Sequence, residues 1–225
     1  IEEEGAFVLA SNLANCFLRD LKLRENNIGT RGWTALAQSL KVSSLKSLDV
    51  SNNSIERQAI TELLKCIPES SVTELNLSSN SIKKVLGTRI AGALGNLKSL
   101  NLSENVLGNT GAQQIAKALP NSKLKTLNLS GNRLGNEAME ALSRNLSMLT
   151  ELDVSKNQIT QAGAIDLLKA LPFSEVVSLN LSQNLLGDSI SGEIQGSKLT
   201  KINLSRTGIG DNSAVTLLKA NPLLE

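Results

Sequence analysis

Leu97-Lys98-Ser99-Leu100-Asn101-Leu102-Ser103-Glu104-Asn105 places aliphatic residues at its first, fourth and sixth positions and an asparagine at its ninth. Positions four and six stand two residues apart, so in an extended chain both face one side while position five faces the other. The stretch therefore predicts a short, one-sided strand. The next segment, Gly108-Asn109-Thr110-Gly111-Ala112-Gln113-Gln114-Ile115-Ala116-Lys117-Ala118-Leu119, spaces Ile115, Ala118 and Leu119 by three and four residues, as the inward stripe of a helix does.

The same nine-position pattern opens at Leu18, Leu45, Val72, Leu97, Leu124, Leu149, Val176 and Leu199, at intervals of 27, 27, 25, 27, 25, 27 and 23 residues. Its helical half returns at 32–40 and 163–171, and Pro68, Pro120, Pro172 and Pro222 come closely after four of the helices, where a residue that cannot extend the helical bonding acts as a stop. No unit of about 26 residues can bury both a strand face and a helix stripe alone, so the units must stack. Strands stack at about 4.8 Å, whereas packed helices need roughly 8 to 10 Å. The stack must curve with its parallel sheet inside.

The expected fold is thus an α/β leucine-rich-repeat solenoid, a horseshoe with a parallel sheet on the concave face and helices on the convex face. It forms one domain over 1–225, with a partial repeat at 1–17 and then the eight repeats. Gly5 to Leu13 matches the helical half, so the chain opens inside an incomplete ninth repeat. Neither terminus carries a polar or Cys-rich cap and there is no initiator Met, from which flanking sequence in a parent protein is expected. The ninth position is Asn26, Asn53, Asn80, Asn105, Asn132, Asn157 and Asn184, then Thr207. A primary amide offers donors and an acceptor, so a column of them can satisfy buried backbone groups of neighbouring coils. This ladder should end at Thr207.

The extended pattern LxxLxLxxNxLGxxGxxxLAxxL resembles the ribonuclease-inhibitor-like class of leucine-rich repeats over nearly the whole chain. That class includes ribonuclease inhibitor, the sensing regions of intracellular immune receptors, the Ran GTPase-activating protein and several bacterial effectors. The resemblance implies the fold and macromolecular recognition. The chain lacks the cysteines and surface aromatics of ribonuclease inhibitor and its alternating 28- and 29-residue repeats. Its compact repeats look more like those of bacterial effectors.

Composition narrows the function. The 23 Lys plus Arg and 21 Asp plus Glu leave a formal charge of +2, too little to concentrate nucleic acid or anionic lipid. Aromatic residues make up 2%, with no Tyr, three Phe and one Trp, which disfavours base stacking. There is no histidine, so the usual general base and metal ligand are missing. No GxxxxGK loop occurs. The chain is therefore read as a non-enzyme that holds no cofactor and no metal, a monomer whose partner is another protein. The two cysteines, Cys16 and Cys66, read as core thiols in a reducing setting. No stretch reaches the roughly 18 apolar residues of a membrane span, and Ile1-Glu2-Glu3-Glu4 does not resemble a signal peptide. Cytoplasmic placement is expected, in the host cytoplasm if the chain is a secreted bacterial effector.

Partner binding is expected on the concave or edge surface. Position five reads Lys22, Asp49, Asn76, Asn101, Asn128, Asp153, Asn180 and Asn203, and position seven reads Arg24 and then seven serines, so the middle of the face should be small and neutral. Two patches depart from this. Arg19, Asp20, Lys22, Arg24 and Glu25, continued by Lys46 and Asp49, form a charged cluster at one end, and Glu151, Asp153 and Lys156 form a smaller one. Such charges could set partner specificity. Trp33 takes the place of Ile60, Ala112, Met139 and Ala164 in other repeats and should be packed inward. Lys83, Lys84 and Arg89 make a basic patch on the third repeat's outer face. The recurring Asn-Leu-Ser triplets are glycosylation acceptors only in form, because the repeat generates them. A second possible activity is regulation of a small GTPase, as in Ran GTPase-activating protein.

Overall fold

A computed structural model describes residues 1–146, 148–188, 190 and 194–221. Among these, eight three-residue strands form a single parallel sheet in chain order: β1 (Asp20–Lys22), β2 (Ser47–Asp49), β3 (Glu74–Asn76), β4 (Ser99–Asn101), β5 (Thr126–Asn128), β6 (Glu151–Asp153), β7 (Ser178–Asn180) and β8 (Lys201–Asn203). Each strand occupies positions three to five of the nine-position pattern. The register keeps position four opposite position four, so Leu21, Leu48, Leu75, Leu100, Leu127, Leu152, Leu179 and Ile202 form one continuous row. From Leu48 to Leu179 that row is buried. Burying each such leucine contributes roughly 1.5 to 3 kcal/mol, which is why the sheet can survive on strands only three residues long.

Among the described residues eight α-helices lie on the other side: α1 (Glu3–Leu13), α2 (Thr30–Ser39), α3 (Arg57–Cys66), α4 (Gly87–Ala93), α5 (Gly108–Ala118), α6 (Asn136–Ser143), α7 (Gln161–Ala170) and α8 (Asp211–Ala220). Among the described residues no α-helix lies between β7 and β8, the shortest interval in the chain. The sheet is open, and helices wider than strands hold the curve predicted from the two spacings. The fold is an α/β leucine-rich-repeat solenoid.

The prolines act one turn later than a simple stop. Pro68, Pro120 and Pro172 each sit inside a 3₁₀ turn that closes the helix, at Ile67–Glu69, Leu119–Asn121 and Leu171–Phe173. The serine after each turn then stitches it to the next strand. The Oγ of Ser70, Ser122 and Ser174 donates to the carbonyl three residues back, at 2.8, 2.8 and 2.9 Å, and accepts the N–H two residues on. Pro222, expected as the fourth stop, and the chain's last residues to Glu225 lie outside the described residues. Trp33 is buried in α2, as its alignment with Ile60 and Met139 requires. Cys66 is buried and Cys16 half-buried, both as free thiols. Burial pushes the Cys66 thiol above its ordinary range.

The asparagine ladder carries the stacking. Asn80 is typical: its Oδ1 accepts the N–H groups of Asn53 (3.2 Å) and Ile55 (3.3 Å) in the preceding coil, and its Nδ2 donates to Val50 in that coil (3.0 Å) and to Leu77 and Ser78 in its own. Asn105 and Asn132 bond in the same manner and are 5% and 0% exposed, so both face the interior. At Thr207 the side chain bonds within its own coil, to Leu204 O at 2.6 Å, and the backbone carbonyl of Thr207 takes over the link to Leu186 and Gly187. The side-chain ladder ends there.

Candidate functional site

The charged residues singled out from the sequence divide between one face and two rims. Asp20, Lys22, Asp49, Glu151 and Asp153 lie within strands, on the concave surface. Arg19 and Lys46 precede β1 and β2 and are neighbours on one rim, where the backbone of Lys46 donates to Arg19 O at 2.8 Å. Arg24 and Lys156 come after their strands and lie on the opposite rim. The two patches are not contiguous. β2 and β6 are four strand steps apart, roughly 19 Å at about 4.8 Å per step.

Within the first patch, register sets Lys22 beside Asp49. Arg24 pairs with its neighbour Glu25 at 2.8 Å, with both side chains largely exposed. The Asn52 side chain and the Arg24 guanidinium together hold the Glu25 carboxyl below its ordinary range. Within the second, Lys156 reaches back across a whole coil to Glu104, at 3.1 Å. That reach depends on the glycine between them: a Cβ on Gly131 would stand 2.7 Å from the Glu104 carboxyl carbon.

Position five has a structural duty that the sequence reading missed. In every coil from the second to the eighth, its Asn or Asp side chain accepts the N–H of position seven. The Oδ1 of Asp49, Asn76, Asn101, Asn128, Asp153, Asn180 and Asn203 lies 2.9 to 3.1 Å from the N–H of the serine two residues on. These are Asx turns that finish each strand. The signal was present, since an Asx turn accepts only Asn or Asp at that place. Lys22 cannot make one. Replacing Lys22 by asparagine should therefore add a bond to the Arg24 N–H and raise stability by about 0.5 to 1 kcal/mol, measured by urea unfolding. No gain would show that the edge coil does not adopt this turn.

Position seven also differs from expectation. Ser51, Ser130, Ser155 and Ser182 are buried at the strand ends and do not belong to the open face, and Ser155 Oγ donates to Ser130 Oγ at 2.9 Å. The accessible concave surface is narrower than the sequence suggested, made of positions three and five. Besides Asp20 and Glu151, position three adds the exposed Glu74 and Lys201, which share the same parity along the strand and could have been found by it. The strands consequently carry five carboxylates, Asp20, Asp49, Glu74, Glu151 and Asp153, against Lys22 and Lys201. In a chain of +2 overall the strands thus carry an excess of acid, four of the five carboxylates in the two patches read from the sequence and Glu74 in the middle that was expected to be neutral.

The face is hollowed where β5, β6 and β7 meet. A polar depression of about 280 Å³ is lined by Thr126, Asn128, Glu151, Asp153, Ser178 and Asn180 with Leu127 and Leu152 beneath. Asn180 Nδ2 donates to Asp153 Oδ2 at 3.0 Å, which fixes that carboxylate while its other oxygen holds the Asx turn. Glu151 is exposed at its edge. Among the described residues no group of three His, Cys, Asp or Glu is placed to hold a metal ion, and no helix is long and apolar enough to cross a membrane.

Comparison with known proteins agrees with this architecture. Two family models of the leucine-rich repeat match, one at residues 14–37, 96–116, 121–143, 145–168 and 197–218 and the other at 44–66. No curated protein matches the chain. With more than half its length matched and the sheet, helices and asparagine column in place, the chain belongs to the leucine-rich-repeat family, whose repeats are generally protein–protein interaction modules.

Proposed function

We propose that this chain binds a protein partner on its concave sheet, through the acidic strand residues between β1 and β6, and that the partner presents basic side chains there. The observation that carries the reading is the excess of carboxylates on the one face the curvature leaves open. Complementary charge across such a surface raises the association rate and rejects wrong partners. The 280 Å³ depression beside Glu151 and Asp153 gives a single side chain a place to enter. The mixed cluster of Arg19, Asp20, Lys22, Arg24, Lys46 and Asp49 at one end of the sheet fixes the partner's direction along it, because cations and carboxylates stand side by side there.

Affinity capture from a lysate with mass-spectrometric identification, run in parallel on three proteins, tests this. Proteins retained by the unaltered chain should be lost from the variant carrying Glu74→Lys and Glu151→Lys, and from the one carrying Arg19→Glu, Lys22→Glu and Arg24→Glu. All of these side chains are exposed, so the melting curves should stay unchanged. Retention of the same proteins by both variants would remove the concave face as the site.

A further inference from the structure

The helix side of the solenoid is not evenly closed. We propose that the cleft between α3 and α4 is a second docking surface, one that takes an acidic linear segment of a partner protein carrying an aliphatic or aromatic anchor.

The cleft has a cause in the sequence. In the fourth coil, α5 begins at Gly108, directly after the buried Leu107; in the third, α4 begins only at Gly87, five residues after the buried Ile82. A 3₁₀ turn at Lys84–Leu86 stands in for the missing first turn, and α4 is left with seven residues. That short helix leans one way. Gly87 lies so close to α5 that a Cβ would come within 2.9 Å of the Gly111 Cα and carbonyl oxygen. Drawn onto α5, α4 packs much less closely against α3 than other neighbouring helices do against each other. On the open side, a Cβ at Gly92 would meet nothing within 4 Å.

Two hollows result, of about 320 and 580 Å³, and they run into each other through the shared walls of Arg57 and Val85. Their combined size suits a few side chains and not a whole domain. The floor of the first is Ile55, Ile60, Ile82 and Leu86, and Val85 stands 54% exposed above it, an aliphatic side chain left in water. The rim is cationic: Arg57, Lys83 and Arg89 line the hollows, and no carboxylate of the described residues pairs with any of them. Lys65 also lines the second hollow but is held by Glu62 at 2.6 Å, and Glu56 precedes Arg57. An apolar floor within unpaired cations is the complement of a segment that alternates Asp or Glu with Leu, Ile or Phe. The surface is built from α3, α4 and the loops that lead into them and shares no lining residue with the depression on the acidic sheet, so either can fail without the other.

Selection of random 12-residue peptides displayed on phage, with the folded chain as bait, tests the proposal, with fluorescence polarisation of the labelled winners as the second step. Enriched peptides should combine acidic and large apolar residues. Their binding should weaken by more than about ten-fold in the Arg57→Glu, Arg89→Glu double variant, and again in Val85→Asp, while Glu74→Lys on the sheet leaves it unchanged. Failure to enrich acidic peptides with large apolar residues, or binding of such peptides that survives both cleft variants, would overturn it, whatever basic peptides the acidic sheet retains. So would a dimer of the chain, seen by sedimentation, that dissociates in Val85→Asp, since the cleft would then belong to a second copy.

Discussion

Asn132→Leu should lower the free energy of unfolding by about 4 kcal/mol, the largest loss expected from any single polar side chain here. The side chain is completely buried. Its Nδ2 donates to Leu102 O in the preceding coil at 2.8 Å and to Leu129 O and Ser130 O in its own, while its Oδ1 accepts the Leu107 N–H at 3.3 Å. Leucine keeps the same branched arrangement of four side-chain heavy atoms and is the larger residue, so the change leaves no cavity. Each buried group left without a partner costs about 1 to 3 kcal/mol, and several are orphaned together. Asn132→Thr should lose about half as much, since a hydroxyl can keep the bond within its own coil, as Thr207 does. Urea unfolding of the three proteins measures both. A loss under about 1 kcal/mol for leucine would mean that the ladder merely decorates a stack held by its aliphatic core.

Gly87→Val should cost about 2 to 3 kcal/mol, because the added atoms meet backbone on Gly111 and not a side chain that can swing aside. Relief requires α4 to move off α5, which pushes it toward α3 and narrows the cleft. Thermal unfolding reads the first effect, and weaker binding of cleft-selected peptides reads the second. Gly92→Ala is the matched control on the same helix. With open space around its Cβ and a better helix former in place, it should be neutral or stabilise by up to about 1 kcal/mol. Equal destabilisation by both substitutions would refute the contact between α4 and α5 as the cause of the opening.

The strands and the inward asparagines were legible because both obey a short rule: aliphatic residues two apart at positions four and six, and an amide where the strand ends. The left-handed turn at position eight was not. All eight coils have positive φ there, 53° to 66°, yet only Gly131 is glycine, while Glu25, Asn52, Ser79, Glu104, Lys156, Gln183 and Arg206 occupy the other seven. The bonds of positions seven and nine hold that backbone from either side, so the residue itself need not announce it. The acidic face escaped for a different reason. Position five carries two conflicting demands, an Asx acceptor and a solvent-facing side chain, and its run of asparagines masked Glu74, the carboxylate that position three adds between the two patches. The cleft was hidden too: repeats three and five both span 25 residues, and it is the late start of α4 together with its glycine contact to α5 that makes one of them gape.

Each ladder amide reaches backward, gripping the coil before it and never the coil after. The joint is therefore a zipper with a direction, and its last tooth is a threonine whose hydroxyl does not cross the gap. Ile202 and Leu204 beside it are only half-buried, whereas their counterparts in the second to seventh coils are buried. Opening should begin there and travel toward β1 one coil at a time, so that amide hydrogens exchange in the order in which the teeth part.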